Sequence, residues 1–285
     1  VIQDHLGESV GCLVPAELGA SNSPAPLVVA ARLGIDIVDG DYAGRAVPDE
    51  MQTTPFINNK PGAPFSSVDP WGNTAIVTSV ANPYMLERVG KMLSIAGIMG
   101  TAMAATPLPG AEMKDIVVRG TLSKCLAIGR AARRARELGD DPVAAVVEFT
   151  GGWRLFDGIV VRKEWEDRDG YMFGTLDIEG TGLDASRRLR VWFKNENHVT
   201  WLDGRPWVCS PDLISIVDPD SAIGYTNTDI TEGDAVSIVG VRGLDVFRSP
   251  DTLDRATGPR YYGFDIDYTP IEKLLNGRRD ERAVR

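Results

Sequence analysis

Apolar residues in the first half of the chain come in short blocks separated by polar, glycine-marked turns. Residues 11–14 form one block and residues 35–38 another, each the length of a short buried strand. Between them Ser23 is placed to cap a helix over 24–33 that opens on Pro24 and stops at Gly34. Strand, turn, helix and strand in succession predict a βαβ unit with a parallel pair and a right-handed crossover. Alternation over 65–68 and 74–79, around a turn at 69–73, predicts a hairpin. Asn82 is set to cap a helix over 83–96, residues 101–105 read as a strand, and 110–117 as a short helix. The helical period is strongest over 121–138. There Leu122, Cys125, Leu126, Ile128, Gly129 and Ala132 make an inner stripe, with Arg130, Arg133, Arg134 and Arg136 facing water. Pro142 opens a further helix, ended by Gly151-Gly152.

From Trp153 the period becomes two. Strands are predicted over 154–166, 171–179, 189–193, 198–202, 206–210, 213–217 and 235–241, with turns such as 167–170 between them. The expected architecture is an α/β domain over residues 1–151, followed by a β-rich, sandwich or barrel-like domain over 152–260. Residues 261–268 alternate again and, with a helical turn over 271–275, form a tail expected to pack back on the first domain. Residues 276–285 are charged and expected to be disordered. The chain opens at Val1 inside what reads as an α/β unit, so an upstream segment is expected.

Composition narrows the function classes. A net charge of −10 argues against a nucleic-acid surface, which needs clustered Lys and Arg. No apolar run is long enough to cross a bilayer, so no membrane partner is expected. Cys12, Cys125 and Cys209 are odd in number and far apart, which suits a reducing cytoplasm. Cys12 and Cys125 read as core residues, and Cys209 as a nucleophile candidate. With only His5 and His198, and no CxxC or HExxH, a His-rich zinc site is not available. Walker, GxGxxG and GxSxG motifs are absent, so no nucleotide cofactor is expected.

Candidate chemistry crowds in just after the strand at 35–38. Asp39, Asp41, Arg45, Asp49, Glu50, Gln52, Thr53 and Thr54 follow it, with Gly40 and Gly44 among them. If the two strands are parallel neighbours, Glu17 and Asn22 leave the end of the first on the same rim, where α/β folds place ligands. Asp39, Asp41 and Glu50 are the general acid/base candidates, since close carboxylates push their pKa values apart. Glu17, Asn22, Arg45, Thr53 and the tail's Asp265 are the substrate-binding candidates. Arg45 can clamp an anionic group or pair internally with Asp41 or Glu50. A divalent metal held by Glu17, Asp39, Asp41 and Glu50 is open on ligand chemistry. The competing interpretation is a hydrated loop with Asx turns and a helix cap. Residues 195–198 read as a turn or bulge, or as a presenter of Glu196 or His198.

Several motifs occur in a specific order: Pro15-Ala-Glu17-Leu-Gly19, Asp39-Gly-Asp41, Gly44-Arg45-Ala-Val-Pro48-Asp-Glu50-Met-Gln-Thr-Thr, Gly120-Thr-Leu-Ser, Asn195-Glu-Asn, Pro211-Asp212-Leu-Ile and Tyr262-Gly-Phe-Asp-Ile-Asp-Tyr. The set resembles the S-methyl thiohydantoin desulfurase-like family, found beside hydantoinase/oxoprolinase genes. The resemblance implies an α/β domain followed by a β-rich one. It also implies action on a hydantoin-like ring, by water attack at a ring carbon with loss of a sulfur leaving group. Family members carry an earlier Gly-rich segment that this chain lacks. The alternative expectation is a non-catalytic subunit that binds a hydantoinase/oxoprolinase partner. A homo-oligomer or such an associated partner is expected.

Overall fold

In the computed structural model, which describes residues 1–19, 21–98 and 100–275, helix α1 (Ile2–Leu6) precedes a strand–helix–strand unit. β1 (Cys12–Leu13) and β2 (Asp36–Ile37) pair in parallel, and α2 (Pro24–Leu33) joins them. Pro24 opens α2, and Gly34, at φ 66°, closes it with an N–H to the Ala30 carbonyl. Ser23 does not cap as expected. Its backbone is already helical, at φ −86° and ψ −52°, with its N–H on the Gly19 carbonyl at 3.1 Å. A capping side chain needs an extended backbone at that position.

β3 (Gly40–Asp41) follows, then a 3-10 turn at Glu50–Gln52 and α3 (Thr54–Ile57). β4 (Phe65–Val68) and β5 (Thr74–Val77) make the predicted hairpin. After α4 (Pro83–Ala96), β6 (Ala102–Ala104) pairs with the other edge of β4. Asn82 caps α4 as predicted, its Oδ1 accepting the Met85 N–H at 3.0 Å. α5 (Gly110–Ile116) leads into β7 (Val118–Arg119), which returns to pair antiparallel with β3 and sets Asp41 opposite Val118.

α6 (Thr121–Leu138) and α7 (Pro142–Thr150) come next. The inner stripe of α6 is displaced from the expected one. Thr121, Ala132 and Ala135 are buried, Leu122 and Ile128 half-buried, and Cys125 and Leu126 exposed. The buried arc is centred on small residues, which let a helix approach closely but carry little weight in a hydrophobicity pattern.

Contacts divide the chain into two units, Val1–Ser123 and the remainder from Lys124. The second contains β8 (Trp153–Arg168), β9 (Tyr171–Gly180), β10 (Arg188–Lys194), β11 (Glu196–Leu202), β12 (Arg205–Cys209), β13 (Leu213–Val217) and β14 (Ala235–Val241). They form one antiparallel sheet in the order β12-β11-β10-β9-β8-β14-β13. The hairpin turns Asp169-Gly170 and Asp203-Gly204 have positive φ at both residues, the requirement of the tight turn that matches strand twist.

β12 and β13 stand at opposite edges of that order, yet only Ser210-Pro211-Asp212 joins them. A flat seven-stranded sheet would hold its edges roughly 29 Å apart, at about 4.8 Å per strand. The linker, at about 3.8 Å per residue, reaches roughly 15 Å. The sheet must therefore curl, and Asn197 of β11 confirms it by donating to the Ile214 carbonyl of β13 at 3.1 Å. The β-rich part is thus a curled half-barrel, not two stacked sheets, with Leu176, Ile178, Val191, Phe193, Ile216 and Ile238 among its core.

Beyond the sheet come α8 (Pro250–Thr252), a 3-10 turn at Pro259–Tyr262 and α9 (Ile271–Leu275). The alternating residues 261–268 form no strand. Their alternation serves side-chain anchoring: Phe264 packs edge-on to Trp192 and Trp201, and the Tyr262 ring stacks on His198. Ile271 and Leu275 enter the half-barrel core. The expectation for 276–285 lies outside the described residues. No helix among the described residues is long and apolar enough to cross a membrane.

Candidate functional site

The centre of the acidic loop is Asp41. The chain leaves β2, passes Asp39 and enters β3 at Gly40. A Cβ on Gly40 would lie 2.7 Å from the Val118 carbonyl oxygen and 2.8 Å from Val117 Cγ2, so only glycine lets β3 and β7 close. That closure buries Asp41 completely. Its Oδ2 accepts the N–H groups of Ala43 at 2.8 Å and Gly44 at 2.6 Å, the latter turned back by a φ of 69° at Gly44. Its Oδ1 accepts no hydrogen bond from the described residues. Burial raises the Asp41 pKa, against the pull of Ala43, Thr121 and Gly44. The Thr121 hydroxyl, close enough to exert that pull, falls outside regular hydrogen-bond geometry and is itself buried without a partner. So is the hydroxyl of Thr54, whose N–H donates to the Tyr42 carbonyl at 2.7 Å. Buried oxygens with unmet capacity mark a place where a polar ligand or water belongs.

Two further carboxyls follow in a chain of influence: the charge of Asp41 acts on Glu17, and that of Glu17 on Glu50. Glu17 Oε1 accepts from Asn22 Nδ2 at 2.6 Å, and its Oε2 accepts the Val47 N–H. The Leu18 N–H reaches the Arg45 carbonyl at 3.2 Å. These bonds tie residues 17–22 to residues 45–47, so the ends of the two parallel strands do meet. Burial raises the Glu17 pKa; Val47, Asn22 and Lys91 oppose, and the charge of Asp41 adds to the rise. Glu50 is pushed up to about 7, first by burial, then by the charges of Glu87 and Glu17, with Thr53 opposing. The Thr53 hydroxyl donates to the Glu50 carbonyl at 2.8 Å and lies 3.4 Å from Glu50 Oε2.

The remaining candidates are placed differently. Asp39 is exposed and engaged with the first turn of α6: its Oδ1 accepts the Ser123 N–H at 2.9 Å and its Oδ2 the Ser123 hydroxyl at 2.7 Å. The Ser123 hydroxyl and N–H hold its pKa down. Arg45 is half-buried and its Nε donates to the Ala46 carbonyl at 3.0 Å. Asp265 belongs to the second unit, is fully exposed, and lies 3.9 Å from Arg260. Among the described residues no three or more His, Cys, Asp or Glu side chains are grouped to hold a metal ion.

Sequence reasoning missed two participants, Glu87 and Lys91 of α4. The available signal was a pair of opposite charges four residues apart within α4. Cys209 is buried, with its thiol pushed up to about 12 chiefly by desolvation, so it is a poor nucleophile at neutral pH. His198 is fully buried in β11, and Asn195 makes the tight turn before it, at φ 55°.

Glu50 gives the unit a pH-dependent stability. An ordinary glutamate loses its proton near 4.5, while folded Glu50 holds it to about 7. Between those values the folded chain binds more protons, so stability falls as pH rises, by up to about 3 kcal/mol at pH 8. Glu50→Gln should flatten this slope in urea unfolding between pH 5 and 8. An unchanged slope would mean that Glu50 titrates normally.

Residues 1–79 match the N-terminal domain of S-Me-THD-like proteins, and residues 81–271 match their C-terminal domain. The chain belongs to the S-Me-THD-like family. Glu17, Asp41 and Glu50 fall in the family's N-terminal domain, and Glu87, Lys91 and Thr121 in its C-terminal domain. Among solved structures, a crystal structure of a protein from Chromobacterium violaceum superposes with a TM-score of 0.75 at 21% identity, over 95% of this chain and 76% of that one. That likeness is one of fold. No curated protein matches the chain at a significant level.

Proposed function

We propose that the protein hydrolyses an S-methyl thiohydantoin-like ring, with Asp41 as general base and Glu50 as general acid. The observation that carries this reading is the Asp41 carboxylate: wholly buried, clamped at Oδ2 by two backbone N–H groups and uncommitted at Oδ1. Such a group is aimed and desolvated, as a base that activates water must be. Water would give one proton to Asp41 Oδ1 while its oxygen bonds to the ring carbon bearing sulfur. The C=N electron pair moves to the ring nitrogen, which then takes the proton back from Asp41. Collapse to a carbonyl breaks the C–S bond. Glu50, protonated up to about pH 7, gives its proton to the departing thiolate. The second water proton, released as the carbonyl forms, restores Glu50. The sum is ring plus water giving a hydantoin carbonyl and a thiol.

Glu17 and Asn22 are suited to orient ring N–H and carbonyl groups, Arg45 and Thr53 to meet a ring oxygen, and Asp39 to position Thr121 through its hold on Ser123. Three cysteines without a disulfide fit a reducing cytoplasm. The test is direct: the purified chain is incubated with S-methyl thiohydantoins and the released thiol is quantified. Release is expected. A folded protein that releases none would leave the partner-binding subunit as the better reading.

A further inference from the structure

We infer that Glu87 is a positioning residue of this site: from α4 it grips the backbone of Glu50 and holds the neighbouring carboxyl as a proton donor, with Lys91 as its counter-cation. The catalytic meaning of this rests on the hydrolytic reading above; the charge arrangement does not.

The Glu50 N–H donates to Glu87 Oε2 at 2.9 Å, across 37 positions of sequence. The other oxygen, Oε1, lies 3.8 Å from Lys91 Nζ one turn along the same helix. Both oxygens of Glu87 are thus taken up by the protein, and it acts through Glu50. The helix that carries it is fixed nearby: a Cβ on Gly62 would run into the Leu86 side chain, so the loop before β4 sits directly on the buried Leu86.

The charge of Glu87 disfavours a second charge on Glu50. Lys91 lies against Glu87, and the proton stays on Glu50, whose pKa burial and the charge of Glu87 raise. Glu87 from α4 and Glu17 from the segment after β1 act on Glu50, and Lys91 lies against Glu87. Arg45 and Asp49 lie in the loop leading to it, and Arg88 is exposed beside Glu87. Burial and the charge of Glu87 act in the same direction on Glu50, ahead of the smaller influence of Glu17.

The experiment titrates the whole chain labelled with carbon-13 at glutamate carboxyls, with the Glu50 signal assigned by its loss in Glu50→Gln. The expected midpoint is about 7. Glu87→Gln keeps an oxygen for the Glu50 N–H but removes the charge, and should lower the midpoint by about one unit or more, the scale of a near neighbouring charge. Lys91→Met should raise it. The alkaline limb of the turnover profile should move with each. A merely structural Glu87 would lower turnover at every pH and leave the midpoint in place. Midpoints unmoved in both variants overturn the inference, and if Glu87→Gln does not fold, Lys91→Met alone decides. If the wild-type chain turns over no thiohydantoin, the hydrolytic reading falls while the titration still judges Glu87.

Discussion

Replacing Asp41 with asparagine should cut thiohydantoin turnover by about 100- to 10,000-fold, the range for loss of a general base. The fold should survive the change. An asparagine carbonyl oxygen can still accept the N–H groups of Ala43 and Gly44, the bonds that shape the turn. Removing a charge from a fully buried position relieves desolvation, so unfolding midpoints should hold or rise. The loss should fall on kcat more than on KM, because the proposed role begins with proton transfer and not with holding the ring. Circular dichroism and thiol release on the same preparation check both halves. Near-normal kcat in a folded Asp41→Asn protein would remove Asp41 from the chemistry. Thr121→Val, which keeps shape and deletes a hydroxyl beside Asp41, should give a smaller loss.

The part of this site that could be read from sequence is the part encoded by periodicity. The apolar blocks before Glu17 and Asp39, with a helix between them, required a parallel pair, and a parallel pair puts their C-terminal ends side by side. The contact of Glu17 with Val47 follows from that logic. Nothing comparable announces the pairing of Gly40–Asp41 with Val118–Arg119. A two-residue ladder has no period, yet it buries Asp41 and delivers Thr121 to it. Glu87 and Lys91 were equally hidden, since a charged pair on a helix ordinarily solvates a face. In the second unit the strands were legible but their closure was not, because curl is set by which edges a short linker joins. The tail shows the opposite failure. Period two was real there, but it records aromatic anchors on Trp192 and Trp201, not a hydrogen-bonded strand.

Asp212, part of the Pro211-Asp212-Leu-Ile motif, should prove a structural residue, and Asp212→Ala should destabilise the second unit by about 3–5 kcal/mol. Its Oδ1 accepts the Gly243 N–H at 2.7 Å, and its Oδ2 accepts the Tyr268 hydroxyl and the Ile271 N–H, both at 2.8 Å. Arg248, 7% exposed, lies 3.6 Å from it, donates to the Tyr268 hydroxyl at 2.6 Å and forks onto Glu272 at 2.9 and 2.7 Å. One wholly buried carboxylate thereby joins the β12–β13 linker, the end of β14 and the start of α9. Alanine would leave two N–H groups and a phenol without an acceptor and, among the described residues, a buried guanidinium with only Glu272 to balance it. The damage should concentrate where those bonds converge, so amide exchange over 265–275 should accelerate more than exchange in β8 or β9. Changing Arg248 to methionine in the same chain should recover part of the loss, since the stranded charge is then removed with its partner. Equal destabilisation in the single and double variants would assign the effect to the lost backbone acceptors. Wild-type exchange in Asp212→Ala would mean that the tail is held by the burial of Ile271 and Leu275 alone.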